Sequence, residues 1–277
     1  KLLSQTFDLL VSHALSLFSN NPECKLKCNS SNNNKSLTKI KWKPEGSTHS
    51  MLKKMQKMKS KNQECNQLLE NEILIWSGKF TTCSSKHIQP HHYGYDTPLF
   101  MSRGIVPLSP RNFVRLLWDS NRTSEYNKYN VGRSDVAIIQ DDSQVLSTTS
   151  CNIRGSKIIK SETKVPFTGM SITMSALMHV RPLEDGNGYV IVTRSLSSGK
   201  AGCHTDMNSS QVDKNPKSEI LWGINVLRTV RESPHQTDLI SVSQVGSSIV
   251  PGFLSKKIGI MACEDFFSEI RGKQFFN

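Results

Sequence analysis

The C-terminal stretch from Met174 to Phe276 constrains the fold more than any other part of this chain. It reads as an unbroken antiparallel ladder that runs into one amphipathic helix. Residues 175–180 pass through Arg181-Pro182-Leu183-Glu184-Asp185-Gly186-Asn187-Gly188 into a β-branched run at 189–195. After a polar loop come two further runs, at 219–230 and 237–245. Asp-Gly and Asn-Gly pairs between such runs mark hairpins, because glycine supplies the positive φ that tight turns require. Val250-Pro251-Gly252-Phe253 then opens an apolar helical segment that ends near Ile270. A curved sheet closed by a terminal helix must hold something between them, either packed side chains or a cavity. That choice decides the function.

Upstream, residues 72–82 and 98–106 read as strands, parted by a loop holding His87, His91, His92, Tyr93 and Tyr95. Two of the histidines are adjacent, the third sits across a proline, and no carboxylate or thiolate is spaced to complete a site. No metal is therefore expected. Ser109-Pro110 opens a helix well, with serine as N-cap and proline in the first turn. Phe113, Leu116 and Leu117 form its buried face, and Asp119-Ser120-Asn121 ends it. Further strands are expected at 134–140, 144–152 and 156–164.

Composition sets the outer bounds. A chain of 277 residues can hold one large domain or two small ones, with ample core. No window approaches the roughly 18 apolar residues of a membrane span. The apolar run at 7–18 is short, is interrupted by Asp8 and His13, and lacks the flanks of a signal peptide. The chain opens on Lys1 rather than methionine and reads as an excised region or a processed product. Seven scattered cysteines fit free thiols in a reducing, cytoplasmic setting.

Charge draws a boundary near residue 70. Residues 1–70 hold twelve lysines, no arginine and five acids, a balance of +7. They include the low-complexity tract Asn29-Ser30-Ser31-Asn32-Asn33-Asn34-Lys35-Ser36, which cannot bury enough surface to order itself. Met51, Met55 and Met58 lie along a lysine-rich helical run, read either as a helix packed on the domain or as a contact for an anionic membrane. The organisation expected is thus a basic segment, 1–70, with possible helices, and a domain at 71–277. Nucleic acid is not an expected partner, since the lysines lack interleaved aromatics and no nucleic-acid-binding motif accompanies them.

Chemistry-bearing spacings are missing from the sequence. There is no Gly-x-Ser-x-Gly elbow, no phosphate loop and no His-Glu-x-x-His set. An enzyme is not expected, and neither is a cofactor.

The ordered runs carry a resemblance. A Ser-Pro-capped helix ends in Leu-Leu-Trp-Asp-Ser-Asn-Arg, with the Tyr-Asn-Lys-Tyr continuation to Tyr129. The runs at 158–166, 177–195 and 220–270 follow in order, the last through Val-Pro-Gly-Phe. Over about residues 71–272 the chain resembles the START family, the lipid-transfer domains related to steroidogenic acute regulatory protein. The resemblance implies an α+β helix-grip fold, a curved antiparallel sheet wrapped around a long C-terminal helix with an internal lipid tunnel. It also implies one bound lipid (sterol, phospholipid or ceramide), which the chain would transfer or sense.

Several site residues follow as expectations. By the resemblance, Glu162 and Arg181 fall where sterol-binding members place a tunnel-facing acid–base pair. Period-2 alternation puts Ile220, Trp222, Ile224 and Val226 on one strand face, and Trp222 and Ile224 are expected to line the ligand. In the last helix Leu254, Ile258 and Met261 make one stripe, and Phe253, Ile260, Cys263, Phe267 and Ile270 make another. Phe253, Ile260 and Phe267 are the expected lining from this helix. Gly259 weakens its interior by about 1 kcal/mol relative to alanine, which suits a gate, with Pro251-Gly252 as hinge. Lys256 and Lys257 at its start are expected to dock transiently on an anionic membrane surface. Two alternatives stay open: a hydrolase or cyclase on a helix-grip scaffold, and a regulatory lipid-sensing module of a larger protein.

Overall fold

Among the described residues the alternating runs become nine strands of one antiparallel sheet, in the order β1-β2-β3-β9-β8-β7-β6-β5-β4. The computed structural model describes residues 38–57, 62–82, 97–141, 153–196, 218–247, 250, 252–273 and 275. In chain order the elements are β1 (Thr38–Pro44), α1 (Thr48–Lys57), α2 (Asn62–Asn71), β2 (Leu74–Thr82), β3 (Leu99–Val106), α3 (Pro110–Trp118), α4 (Thr123–Tyr126), β4 (Asn130–Asp141), β5 (Gly155–Lys164), β6 (Ser171–Pro182), β7 (Gly188–Ser195), β8 (Ser218–Val230), β9 (Ser233–Ser247) and α5 (Gly252–Gly272). The expected strand at 144–152, the histidine loop, the Asn-rich tract and the loop at 197–217 lie outside the described residues.

Chemistry at the junctions explains the boundaries. Ser109 caps α3 by accepting from the Asn112 N–H, and Pro110 stands at its first turn. The carbonyls at the C-terminal end of α3 are met by cations: Lys157 donates to Trp118 O, and Arg133 donates to Leu117 O at 2.8 Å. The Lys157 ammonium also reaches Asp135 at 2.7 Å, so this buried lysine is paired. Between β6 and β7, Gly186 adopts φ 66° in the Asp-Gly turn. A Cβ on Gly188 would lie 1.8 Å from the Leu227 carbonyl oxygen, so that position admits only glycine.

The two sheet faces carry different layers. On the inner face, α3 and the C-terminal half of α5 pack on β5 to β9. That core joins Phe113, Leu117, Met178, Ile191, Leu227 and Phe267. On the outer face, α1 and α2 bring Met51 and Leu69 against Leu74 and Ile105 of β2 and β3. The outer side chains of β6 to β9, among them Val190, Val192, Ile224, Val226 and Val242, are also buried.

Three expectations change here. Residues 38–71, expected to precede the domain, supply the sheet's first strand and two of its helices, so the edge of the packing lies upstream of residue 70. The strand face at 220–226 is broken. A bulge between Ile220 and Trp222 sends Ile220 to the inner core and leaves Trp222, Ile224 and Val226 outside. Gly259 is a site of close packing rather than a weak point. A Cβ there would stand 2.1 Å from the Phe100 ring of β3, so glycine lets α5 approach the sheet.

Candidate functional site

The inner face turns polar where small side chains line up across three strands. Asn225 of β8 stands opposite Ser241 of β9, and Ser241 stands opposite Ser102 of β3. In the neighbouring row Gly223 faces Ser243. Leu227 and Leu239, also paired, fill the inner face next door and are fully buried. Where serine and glycine replace such side chains, volume is left over. A cavity of about 290 Å³ occupies it, floored by Ser102, Asn225, Ser241 and Ser243 and roofed by Cys263 and Phe266 of α5. Lys128 and Tyr129, from the turn between α4 and β4, form its side wall.

The site carries little net charge. Asp265 of α5 accepts from Lys128 Nζ at 2.6 Å and from Tyr129 Oη at 2.9 Å, which bridges the wall to the roof. Burial pushes the Tyr129 phenol above its usual value, and its hydrogen bond to Asp265 pushes the same way. Burial likewise raises the Cys263 thiol to about 11, only partly offset by its hydrogen bond with Ser102. Asn225 Oδ1 is shut off from solvent and has no hydrogen-bond partner.

Among the described residues, polar contacts of unequal strength hold α5 near its start, its middle and its end. Near its start Lys256 pairs with Glu45 at 2.7 Å, and the Ser77 hydroxyl donates to the same carboxylate at 2.6 Å. At its middle Asp265 makes the bridge just described. At its end Arg271 donates to Ile105 O and Glu72 O, both at 3.0 Å, and also to Leu69 O. Burial follows the same gradient: Phe253 is 82% exposed, whereas Phe267 and Ile270 are buried.

The first tether is sensitive to acid. Burial pushes the Glu45 carboxyl up, but the Lys256 ammonium and the Ser77 hydroxyl outweigh it and hold it below its ordinary value of 4.5. A carboxylate with a depressed folded pKa adds stability above its unfolded value and loses it as pH falls through the folded one. Local opening of the first turns of α5, read by amide exchange, should therefore rise below about pH 4.5. In Glu45→Gln that opening should already be elevated at neutral pH and vary less with acid. An identical acid response in both proteins would remove Glu45 as the sensor.

The expected site residues scatter. Glu162 pairs with Thr173 across β5 and β6, while Arg181 lies beyond Val180, the partner of Gly155. Eight residues of β6 (181 − 173) separate Arg181 from Glu162's partner, about 26 Å at the rise of a strand. The expected acid–base pair does not form, and both residues belong to the outer face, as do Trp222 and Ile224. A double-mutant cycle between Glu162 and Arg181 should return additive effects on the urea midpoint, within about 0.3–0.5 kcal/mol. A larger coupling would restore the pair.

Within α5, Phe253 points to solvent, Ile260 packs beside Phe100 and Ile75, and Phe267 belongs to the solid core. Lys256 is engaged by Glu45, and Lys257 Nζ lies 5.2 Å from the centre of the Phe167 ring. Sequence reasoning missed the floor itself. Its one signal was the Ile240-Ser241-Val242-Ser243 alternation, which reads as a strand with its serines facing water.

Comparison with known proteins places the architecture. No family model matches the sequence, and no curated protein does. Among solved structures, the chain is similar to the human StarD13 (DLC2) lipid transfer and protein localization domain, with a TM-score of 0.50 and 10% identity over 80% of this chain and 95% of that one. It is also similar to a STAR-related lipid transfer protein from Xanthomonas axonopodis, at TM-score 0.47 and 9% identity over 72% and 92% of the two chains. For human StAR-related lipid transfer protein 5 the values are 0.43, 14%, 81% and 93%. By fold, a curved nine-stranded sheet gripping a C-terminal helix, this chain stands with the START-related lipid transfer domains, as the order of its sequence runs led us to expect.

Proposed function

We propose that this chain binds one lipid between α5 and the inner face of the sheet and passes it to or from a membrane, with α5 as the gate. The observation that carries this reading is the cavity beneath α5 in a domain of START-type fold. Uneven anchoring of α5 supports the gate: the end at Arg271 is fixed to three carbonyls, while the end at Phe253 is largely exposed and its Lys256–Glu45 ion pair lies partly in solvent. Binding is favoured over catalysis because the Cys263 thiol and the Tyr129 phenol at the cavity are both pushed toward their neutral forms. Neither is poised as a nucleophile or a base near neutral pH.

Membrane contact is assigned to the end where α5 begins. Phe253, Phe167 and Met170 are exposed there at 82, 67 and 44%. Lys257 over the Phe167 ring brings the β5–β6 turn beside the first turns of the helix. Exposed aromatics next to lysines fit an anionic bilayer surface, where each well-placed lysine adds about 1 kcal/mol. Among the described residues no helix is long and apolar enough to cross a membrane. The setting proposed is cytoplasmic, with transient attachment to the bilayer.

Native mass spectrometry of protein purified from a lipid-containing host should show one co-purifying lipid per chain. Exchange between vesicles should be slower for Lys257→Glu with anionic donors, and nearly unchanged with neutral ones. No uptake of sterol, phospholipid or ceramide by delipidated protein would end this reading.

A further inference from the structure

The outer face of the sheet is buried more deeply than its own layer explains. Val190 and Val192 of β7, Ile224 and Val226 of β8 and Val242 of β9 are each 1 to 2% exposed. Among the described residues, every side chain clustered with them belongs to a strand or to the β6–β7 hairpin. Side chains on one face stand side by side with their tips outward, and only a second layer shuts such tips from water. Helices α1 and α2 do not supply it. They lie over β2 and β3, and β7 is three strands beyond β3. That distance is about 14 Å at the strand spacing, farther than the roughly 5 Å half-width of a helix reaches.

We propose that the apolar run at 7–18 docks on the outer face of β6 to β9 and forms its second layer. Eight of the twelve residues in this run are apolar, and Phe7, Leu10, Val11, Ala14 and Phe18 recur at helical spacing, which gathers them into one stripe. The stretches at 83–96, 142–152 and 197–217 are polar and hold no such stripe.

Length and reach agree. Twelve helical residues span about 18 Å, and the four strands β6 to β9 are about 14 Å across. The twenty residues from Phe18 to Thr38 (38 − 18) extend to about 66 Å, whereas β1 and β7 are five strand spacings apart, about 24 Å. Charge agrees as well. Asp8 is the one acid among residues 1–22, and Arg181 stands opposite Val190 on the same outer face. The run presents an acid where the face presents a cation. This seat lies on the far side of the sheet from α5 and is independent of any lipid held beneath that helix.

The test puts photo-reactive p-benzoylphenylalanine in place of Phe18 in the full chain and maps the cross-links by peptide mass analysis. They should fall within the same chain, on residues of β6 to β9. Leu10→Asp should lower the thermal midpoint by roughly 5 °C and raise the binding of a dye that reports apolar surface. Ser16→Asp, on the opposite side of the run, should change neither. Cross-links on the inner-face core, on a second copy or nowhere overturn the proposal, and so does a thermal midpoint that Leu10→Asp leaves unmoved. Should Leu10→Asp fail to fold, the charge exchange decides. Asp8→Arg alone should lower the midpoint by about 1–2 °C, and Asp8→Arg with Arg181→Asp should recover it. A midpoint indifferent to both overturns the seat.

Discussion

With Ser102 replaced by cysteine, lipid exchange should fall to background in oxidising buffer and return when reductant is added. Cys263 of α5 already makes a hydrogen bond with Ser102 of β3, so the new thiol would sit beside a native one with little change in volume. A disulfide between them joins the roof of the cavity to its floor. The reaction needs help, because burial raises the Cys263 thiol to about 11 and leaves little thiolate near neutral pH. Alkaline buffer or a catalytic oxidant, followed by peptide mass mapping, secures and verifies the bond. Exchange by the reduced variant, whose cavity floor carries the substitution, is the baseline against which the oxidised form is read. Full exchange with the bond shown to be closed would mean that lipid passes by a route that leaves α5 in place.

Phe267→Ala should cost about 3–5 kcal/mol, the usual range for emptying a buried phenylalanine site. The side chain is 1% exposed. Its ring meets the Phe266 ring edge-on at 6.0 Å and lies 5.3 Å from the Arg271 guanidinium. Truncation therefore opens a hole where α5 is fixed and loosens the support of that arginine. Urea midpoints of delipidated and lipid-loaded protein separate a core role from a ligand-lining one. A core residue loses the same amount in both states. A loss below about 1 kcal/mol, or one that bound lipid restores, would return Phe267 to the ligand site where the sequence had placed it.

The difference between those two placements shows what a sequence can carry. The hairpin at Asp185-Gly186, the cap at Ser109 and the apolar run to Ile270 each follow from local chemistry, and each stands where expected. The curved antiparallel sheet with its terminal helix followed too, because the runs came in the order of a known fold. What alternation cannot say is which face of a strand turns inward. Trp222 and Ile224 form a convincing apolar face, half-buried and buried respectively, but on the side away from α5. Ser241 and Ser243 look solvent-facing and instead floor the cavity. A bulge after Ile220 adds a register change that no periodicity announces. Glu162 and Arg181 failed for a related reason: matching a motif carries over position in the chain, while their pairing depends on the register of β5 against β6. Thr38–Pro44 was overlooked because its lysines and the neighbouring asparagines masked Ile40 and Trp42, which pack on the sheet.

The grip of Arg271 has a mechanical consequence. A rod fixed at one end multiplies small rotations at the other. From Arg271 back to Phe253 is 18 residues (271 − 253), about 27 Å at the rise of an α-helix. A tilt of roughly 10° about the fixed end would carry the far tip about 5 Å, enough to part it from its ion-pair partner while the buried end hardly shifts. Leverage of this kind puts sensitivity at the tip and strength at the pivot. Substitutions near residue 253 should alter how often the helix lifts, and those near residue 271 whether it returns to the same seat.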